Sequence, residues 1–503
     1  MTVHASHRLL ARRLGIDTHS ENVVFMRKDC PVCRSEGFAS HNRVALAAAD
    51  RHVIATLYQV ESSLLDRDEA GLSDATWLNL GLHAGDHITV RHAPPVSSLS
   101  LVRGRIFGHS LEDVALREII SDIVAGRYSP IEISSFITAC AAKPLSLNEI
   151  CGLTGAMVEV GERLIWDKPI VADKHSVGGL PGNRTTPIVV AIATALGLTM
   201  PKTSSRAITS PAGTADAMET MAPVILDERK IREVVDREGG CIVWGGAIRL
   251  SPADDILIRV ERALDIDSHG QMIASVLSKK IAAGATHLVI DMPVGPTAKV
   301  RDAETAAILS ADLLSVASRF GIQARVVLGD GRQPVGRGIG PALEARDVLA
   351  VLKGDKDAPQ DLRDRALVLA GAVLELCGQA ATGNGKARAA AVLDDGRAWA
   401  KFERICAAQG GMRVPPISRY RRDVTAMADG EVSNIDNRRL ARLAKLAGAP
   451  EDKAAGIELR VRLGDKVSRG DRLFTLHADA DGELAYATSY ADMNADIIQL
   501  AGT

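Results

Sequence analysis

The strongest constraint on the fold is a unit written twice in succession. A short apolar run, Pro169 to Ala172, leads into the loop Asp173-Lys-His-Ser-Val-Gly-Gly-Leu-Pro-Gly-Asn-Arg-Thr-Thr-Pro187, and then into the apolar stretch Ile188 to Leu198. A second run, Thr199 to Lys202, leads into Pro201-Lys-Thr-Ser-Ser-Arg-Ala-Ile-Thr-Ser-Pro-Ala-Gly-Thr214, followed by a helix predicted to run through Met218 and Met221. Strand, small-residue loop, helix and strand again is βαβ texture, which demands a mostly parallel sheet covered by helices. Thr286 to Asp291 and Ala324 to Leu328 continue it.

The flanks differ in texture. Residues 1–92 carry short apolar runs (Val44 to Ala49, Val53 to Tyr58) and a turn feeding a strand at Gly81 to Val90, which predicts a small β-rich domain. Ala93-Pro-Pro95 is a linker candidate. From Gly108 the spacing turns helical, with Leu111, Val114, Ala115, Glu118, Ile119 and Ile120 on one stripe and Ser129-Pro130 and Ser146 as further helix starts. The last 75 or so residues return to period two around Ile457 to Leu463 and Leu473 to Leu476. The expected class is multidomain α/β: a helical domain plus a mostly parallel α/β domain forming a cleft, with small β-rich N-terminal and C-terminal domains. The expected boundaries are 1–92 (β-rich), 93–164 with 252–284 returning to it (helical), 165–251 with 285–425 (α/β), and 426–503 (β-rich).

Composition removes several functions. A chain of 503 residues exceeds one compact core. Sixty basic against 62 acidic residues leave no field to neutralise a nucleic-acid backbone, and 3% aromatics leave few stacking platforms. The basic N-terminus has no apolar core, unlike a secretory signal, and too little serine for a transit peptide. The most apolar stretch, Pro187 to Met200, is too short to span a bilayer. Seven scattered cysteines fit a reducing compartment. A cytoplasmic protein with no nucleic-acid or membrane partner is expected.

The chemistry concentrates in the two loops. Gly178, Gly179 and Gly182 let backbone N–H groups approach a ligand. With Thr186 as N-cap and Pro187 at the first position, a helix start adds partial positive charge for an anion. Lys174 adds a full charge, and Ser176, Thr185 and Thr186 add hydroxyls. The spacing fits neither a Walker A loop nor a dinucleotide fingerprint. The alternative is a Gly-rich connection with no ligand. Farther on, Ser275 and Lys279 stand at i and i+4, so they share one helix face; a solvated face is the plainer reading. Asp267, before that helix, is either a first-turn carboxylate or a general acid.

Taken together, Lys174-His175-Ser176 with Gly178-Gly179, the second loop ending in Gly213-Thr214, Ser275-x3-Lys279 and Pro334-Val-Gly-Arg-Gly-Ile-Gly-Pro-Ala-Leu-Glu344 resemble the thymidine phosphorylase family over roughly residues 100–480. The extra N-terminal domain and the loop Ser205 to Ser210 resemble its long branch, which contains AMP phosphorylases and bacterial proteins assigned as thymidine phosphorylases. The resemblance implies phosphorolysis of a nucleoside with inorganic phosphate as co-substrate, no metal or organic cofactor, and a homodimer or larger homo-oligomer. It implies that Lys174, Ser176, Thr186, Ser204 and Thr214 hold phosphate, and that His175, Ser275 and Lys279 meet the base. In the AMP phosphorylase alternative, which would release ribose 1,5-bisphosphate, Gly179, Ser205, Arg206, Ala207, Ile208, Thr209, Ser210 and Thr214 bind substrate phosphate, Asp267 protonates the base, and Ser275 and Lys299 are substrate contacts. Arg206 is a candidate partner for a second phosphate.

One departure concerns the base. Short-form pyrimidine enzymes carry an arginine upstream of the Ser–Lys helix, where the ungapped match here is Val260, flanked by Arg259 and Arg262. Cys30-Pro-Val-Cys33 lacks a second pair to complete a zinc site and is expected to be a reduced structural pair. Lys466 between two Gly-Asp turns lacks the flanks of a swinging arm. Two rival readings are a non-catalytic phosphometabolite-binding protein and the related fold used for anthranilate phosphoribosyl transfer, which needs Mg²⁺ for its diphosphate.

Overall fold

The computed structural model describes residues 8–207, 210–266 and 268–502. The chain divides into two compact units, one ending at Lys143 and one beginning at Pro144.

In the first unit six strands, β1 (Arg8–Arg13), β2 (Val23–Arg27), β3 (Arg43–Ala48), β4 (Arg51–Val60), β5 (Glu69–Leu72) and β6 (His87–His92), close into a barrel in the order β1-β5-β2-β4-β3-β6. Closure leaves no free sheet edge. The alternation in β3 puts Val44 and Leu46 inside, where they meet Val24, Met26, Leu57, Leu72 and Ile88. Two short helices attend the barrel, α1 (Pro31–Glu36) and α2 (Asp74–Leu80). Cys30 caps α1: its Sγ accepts from the Cys33 N–H at 3.2 Å, and both thiols are free and buried. Three helices follow, α3 (Leu99–Ile106), α4 (Asp113–Val124) and α5 (Pro130–Ala142). Ser129 and Glu132 form a capping box at α5, as the Ser-Pro start predicts. The buried stripe of α4 is Leu116, Ile119, Ile120 and Ile123; Val114, expected on it, is 75% exposed because the stripe is narrower than the run of apolar residues.

The second unit opens with α6 (Leu147–Glu159), started by a Ser146–Glu149 capping box. Its sheet is parallel: β7 (Ala172–Ser176), β8 (Met200–Ser204), β9 (Gly240–Trp244), β10 (His287–Val294) and β11 (Gln323–Asp330). The order is β11-β10-β7 in one part and β8-β9 in the other, joined by a parallel bridge from Val171 to Thr199. β7 begins where the apolar run ends, so Asp173, Lys174 and His175 are themselves strand residues, paired with Leu288, Val289 and Ile290 of β10. Helices α7 (Thr186–Ala195), α8 (Thr214–Glu219), α9 (Glu228–Glu238), α10 (Pro252–Leu264), α11 (His269–Ala282), α12 (Ala303–Arg319) and α13 (Pro341–Lys353) alternate with the strands. Residues Thr186 to Thr194 of α7 are all buried, which explains a helix with no polar face. Helix α11 packs along α6.

The remaining helices of the α/β part are α14 (Gln360–Leu376), α15 (Gly385–Asp394) and α16 (Arg397–Gln409), and α14 and α16 both lie against α7. Beyond them, the expected strands around Ile457 and Leu473 are present at Gly456–Leu459 and Arg472–Ala478. Two helices accompany them, α17 (Asn437–Leu446) and α18 (Asp481–Met493). Leu440, Leu443 and Ala444 give α17 its buried face at helical spacing, so this segment mixes both periods. Among the described residues no helix is long and apolar enough to cross a membrane.

Candidate active site

Strands β7 and β8 are neighbours, and both anion-suited loops leave their carboxyl ends, where open parallel sheets place ligands. Burial decides the character of the first loop. Lys174 is 1% exposed; its Nζ donates to Thr185 Oγ1 at 2.9 Å and lies 3.5 Å from Asp291 Oδ2 of β10. Burial pushes the Lys174 ammonium down to about 8, opposed by Asp291 and reinforced by Arg365 and Arg184. Asp291 is fully buried and also receives Asn183 Nδ2 at 2.9 Å and the Arg365 guanidinium.

Thr185, rather than Thr186, occupies the N-cap position of α7. It makes no cap hydrogen bond, and its oxygen accepts from Lys174. Thr186 is the first helical residue, with Pro187 behind it. Gly178 and Gly179 both have positive φ. A Cβ on Gly179 would come within 2.4 Å of the Lys299 backbone nitrogen, so only glycine lets these two predicted residues meet. Ser176 Oγ lies 3.5 Å from the Gly178 nitrogen, at the limit of a hydrogen bond.

The second loop is folded on itself. Asp216 Oδ2 accepts from the backbone N–H groups of Ala207 and Gly213, at 2.6 and 3.0 Å. A Cβ on Gly213 would strike the backbone of Ser205, Arg206 and Ala207. Arg206 pairs with Glu219 at 2.7 Å and Asp216 at 3.1 Å and stacks over Trp244. Its charge is thereby met inside the protein, and the sequence offered no hint of this. Ser204 Oγ is buried without a hydrogen-bond partner, whereas Ser205 is exposed and Ser210 Oγ donates to the Ala212 carbonyl. Ile208, Thr209 and Asp267 lie outside the described residues.

Helix α11 brings the third element in. Lys279 Nζ donates to Asp254 Oδ2 at 2.6 Å and to Ser275 Oγ at 3.3 Å, so the i, i+4 pair is a hydrogen-bonded unit backed by a buried carboxylate. The next residue, Lys280, reaches Asp173 at 2.8 Å, and Lys202 of β8 reaches the other oxygen of Asp173 at 3.0 Å. All three are buried. His175 is held well below its ordinary value, first by burial and then by the charges of Lys280, Lys202, Lys279 and Lys174. It is a neutral imidazole at physiological pH.

Arg184, absent from the sequence expectations, links the loops. Its Nε donates to Glu344 Oε2 at 2.7 Å, its Nη1 to Thr214 Oγ1 at 2.7 Å and its Nη2 to the Ala212 carbonyl at 2.9 Å. Glu344, in the first turn of α13, ends the Pro334–Glu344 signature, which thus gains a structural reason. Among the described residues no group of three or more His, Cys, Asp or Glu could hold a metal ion.

Comparison with known proteins agrees with this architecture. Residues 168–399 match the glycosyl transferase family a/b domain and residues 100–161 its helical bundle domain. Residues 431–497 match the pyrimidine nucleoside phosphorylase C-terminal domain. A Sphingopyxis alaskensis protein named "Putative thymidine phosphorylase" is 60% identical over 498 residues, covering 99% of this chain and 97% of its own. A protein of the same name from Polaromonas sp. is 58% identical over 494 residues, covering 98% and 97%. The chain belongs to the thymidine phosphorylase family of glycosyl transferases. Because these alignments run nearly end to end, the N-terminal barrel is part of what this chain shares with those relatives of the thymidine phosphorylase family. The fold also resembles anthranilate phosphoribosyltransferase from Thermus thermophilus, at TM-score 0.52 and 22% identity over 61% of this chain and 98% of the other.

Proposed function

We propose that the protein is a nucleoside phosphorylase, a pentosyltransferase converting thymidine and phosphate to thymine and 2-deoxyribose 1-phosphate. The observation that carries the reading is Lys174: a buried ammonium, hydrogen-bonded to a threonine hydroxyl at the mouth of two glycine- and hydroxyl-rich loops. A lysine placed there costs desolvation that an anionic ligand offsets. The names of the 60%-identical relatives support the same reaction class.

In this reading phosphate sits against Lys174, Ser176, Thr186, Ser204 and Thr214, with Gly179 and Lys299 closing the first loop over substrate. A phosphate oxygen attacks the anomeric carbon as the bond to the base nitrogen breaks, through an oxocarbenium-like transition state. The leaving base carries away the bonding pair. Lys279 and Ser275 hydrogen-bond its edge and stabilise that charge. Neutral His175 offers an N–H to the base and leaves no competing positive charge beside the lysines.

Arg206 is saturated by Glu219, Asp216 and Trp244, which weighs against a second phosphate on that side chain and favours a nucleoside over a nucleoside monophosphate. The test is chromatography of products after incubation with inorganic phosphate and, in parallel, thymidine, uridine, AMP and CMP. Thymine release that depends on phosphate supports the reading. Free base from the monophosphates alone moves the assignment to nucleotide phosphorolysis, and no base from any of them overturns it.

A further inference from the structure

Two loops that grip one anion must keep a fixed spacing, and the described residues join them at Arg184. Its guanidinium spends its donors on three separate groups: Glu344 at the start of α13, and the Ala212 carbonyl and the Thr214 hydroxyl of the second loop. The side chain is 11% exposed and that of Glu344 1%, so the pair is shielded from competing water. Glu344 is itself fixed, its other oxygen accepting from the Gly340 N–H at 3.2 Å.

The geometry also sets the direction of a proton. A threonine hydroxyl has one proton to give, and when its oxygen accepts from a cation that proton must point elsewhere. Thr214 Oγ1 accepts from Arg184 as Thr185 Oγ1 accepts from Lys174. Both hydroxyls are therefore left as donors toward whatever lies beyond them, which suits an anion and repels a cation. Because the second loop is packed on its own backbone around Gly213, Ala212 and Thr214 move together. Loss of the fork would shift the hydroxyl and the helix start behind it.

We propose that Arg184 is a positioning residue for the attacking phosphate, acting through the Thr214 hydroxyl. The inference rests on the phosphorolysis reading and deepens it. Lysine cannot replace the fork, since one ammonium cannot reach a carboxylate of α13 and both a carbonyl and a hydroxyl of the second loop.

The test is a double-mutant cycle of R184K and T214V, read as KM for phosphate at saturating nucleoside. Each single variant is expected to raise it about 10- to 100-fold, the size of one charge-assisted hydrogen bond. R184K in the T214V background is expected to add less than about 3-fold, because the route through the hydroxyl is already gone. KM for the nucleoside should stay within about 2-fold. Multiplying effects, an unchanged phosphate KM in R184K, or an equal rise in both KM values overturns the proposal. Should R184K fail to fold, E344Q keeps the arginine with a neutral partner of the same shape and is read in the same cycle. If the wild-type protein turns over no nucleoside, the phosphorolysis reading fails, and calorimetric binding of inorganic phosphate still judges Arg184. Equal affinity in wild type and R184K overturns it there.

Discussion

Replacing Lys174 with methionine is the most direct perturbation of the site. Methionine replaces the side chain without the charge, and Asp291 keeps the Arg365 guanidinium as counter-charge and the Asn183 amide as hydrogen-bond donor, so no carboxylate is stranded. Two opposite unit charges about 4 Å apart interact by roughly 4 kcal/mol at an effective dielectric of about 20. Asp291, 3.5 Å from Nζ, draws off part of that field. What reaches phosphate is then about 3 kcal/mol, more than 100-fold in kcat/KM for phosphate. The folded protein disfavours the charged lysine, since burial lowers it to about 8, so K174M should unfold no earlier than wild type. The same value predicts the pH profile. Lys174 is cationic below about 8, and kcat/KM for phosphate should fall above that pH. Bound phosphate favours the proton, so the corresponding limb in kcat should lie at higher pH. The assay is initial-rate base release with phosphate varied from pH 6 to 10. A K174M protein that folds and keeps kcat/KM for phosphate within about 3-fold of wild type refutes the reasoning, whatever its pH profile.

His175 is held well below its ordinary value, so it should contribute no limb near 6.5, and any limb there from the titration of phosphate itself should be the same in wild type and H175Q. A limb there that disappears in H175Q would contradict this. On the proposed reading Ser275 meets the base, so S275A should raise the nucleoside KM about 10-fold and leave the phosphate KM within about 2-fold, consistent with loss of one hydrogen bond. Steady-state kinetics with each substrate varied decides it. Lys279 must be tested as K279M with D254N, since Asp254 alone would be a buried unpaired carboxylate, at a cost of about 3–5 kcal/mol in stability. Turnover should survive dialysis against EDTA, and loss restored by Mg²⁺ would point instead to diphosphate chemistry.

What the sequence disclosed was local. Glycines and hydroxyls within 14 residues of Lys174 mark the first loop, and Ser275 with Lys279 needs only the helical period. The helix starts at Ser129 and Ser146 are also short-range patterns and are present where expected, each closed by a capping box. The partners that tune these groups are distant. Glu344 stands 160 residues from Arg184, and Lys280 is 107 from Asp173. No period or propensity links such positions; Lys280 arrives with α11, the helix before β10, and Glu344 with α13. Arg206 shows the converse limit. A basic residue in an anion-suited loop looks available in sequence, yet Glu219 thirteen residues on and Trp244 farther along the chain absorb it. One signal was there to be read: Lys202 interrupts an apolar strand, and a charge inside a buried strand requires a buried partner.

The buried charges around β7 do not balance. Among the described residues Lys174, Lys202, Lys280 and Arg365 pair with Asp173 and Asp291, Arg365 also acts on Asp330, and Asn183 and His175 add no charge. An excess of positive charge in a desolvated setting is costly, and burial accordingly lowers both Lys174, to about 8, and Lys280. A dianion entering this setting offsets the excess and raises the affinity of both lysines for protons. Binding near pH 8 should therefore take up protons, while binding near pH 6, where Lys174 is already charged, should take up fewer. Sulfate is the suitable probe, because unlike phosphate its own charge does not change over this range. Titration calorimetry in buffers of different ionisation enthalpy gives the proton count directly. Uptake of up to about half a proton at pH 8 is expected from Lys174, since a group near its pKa is already half protonated before the anion arrives. Sulfate that binds with no proton uptake at pH 8 would mean that the lysines do not face the anion, and the excess charge would need another explanation.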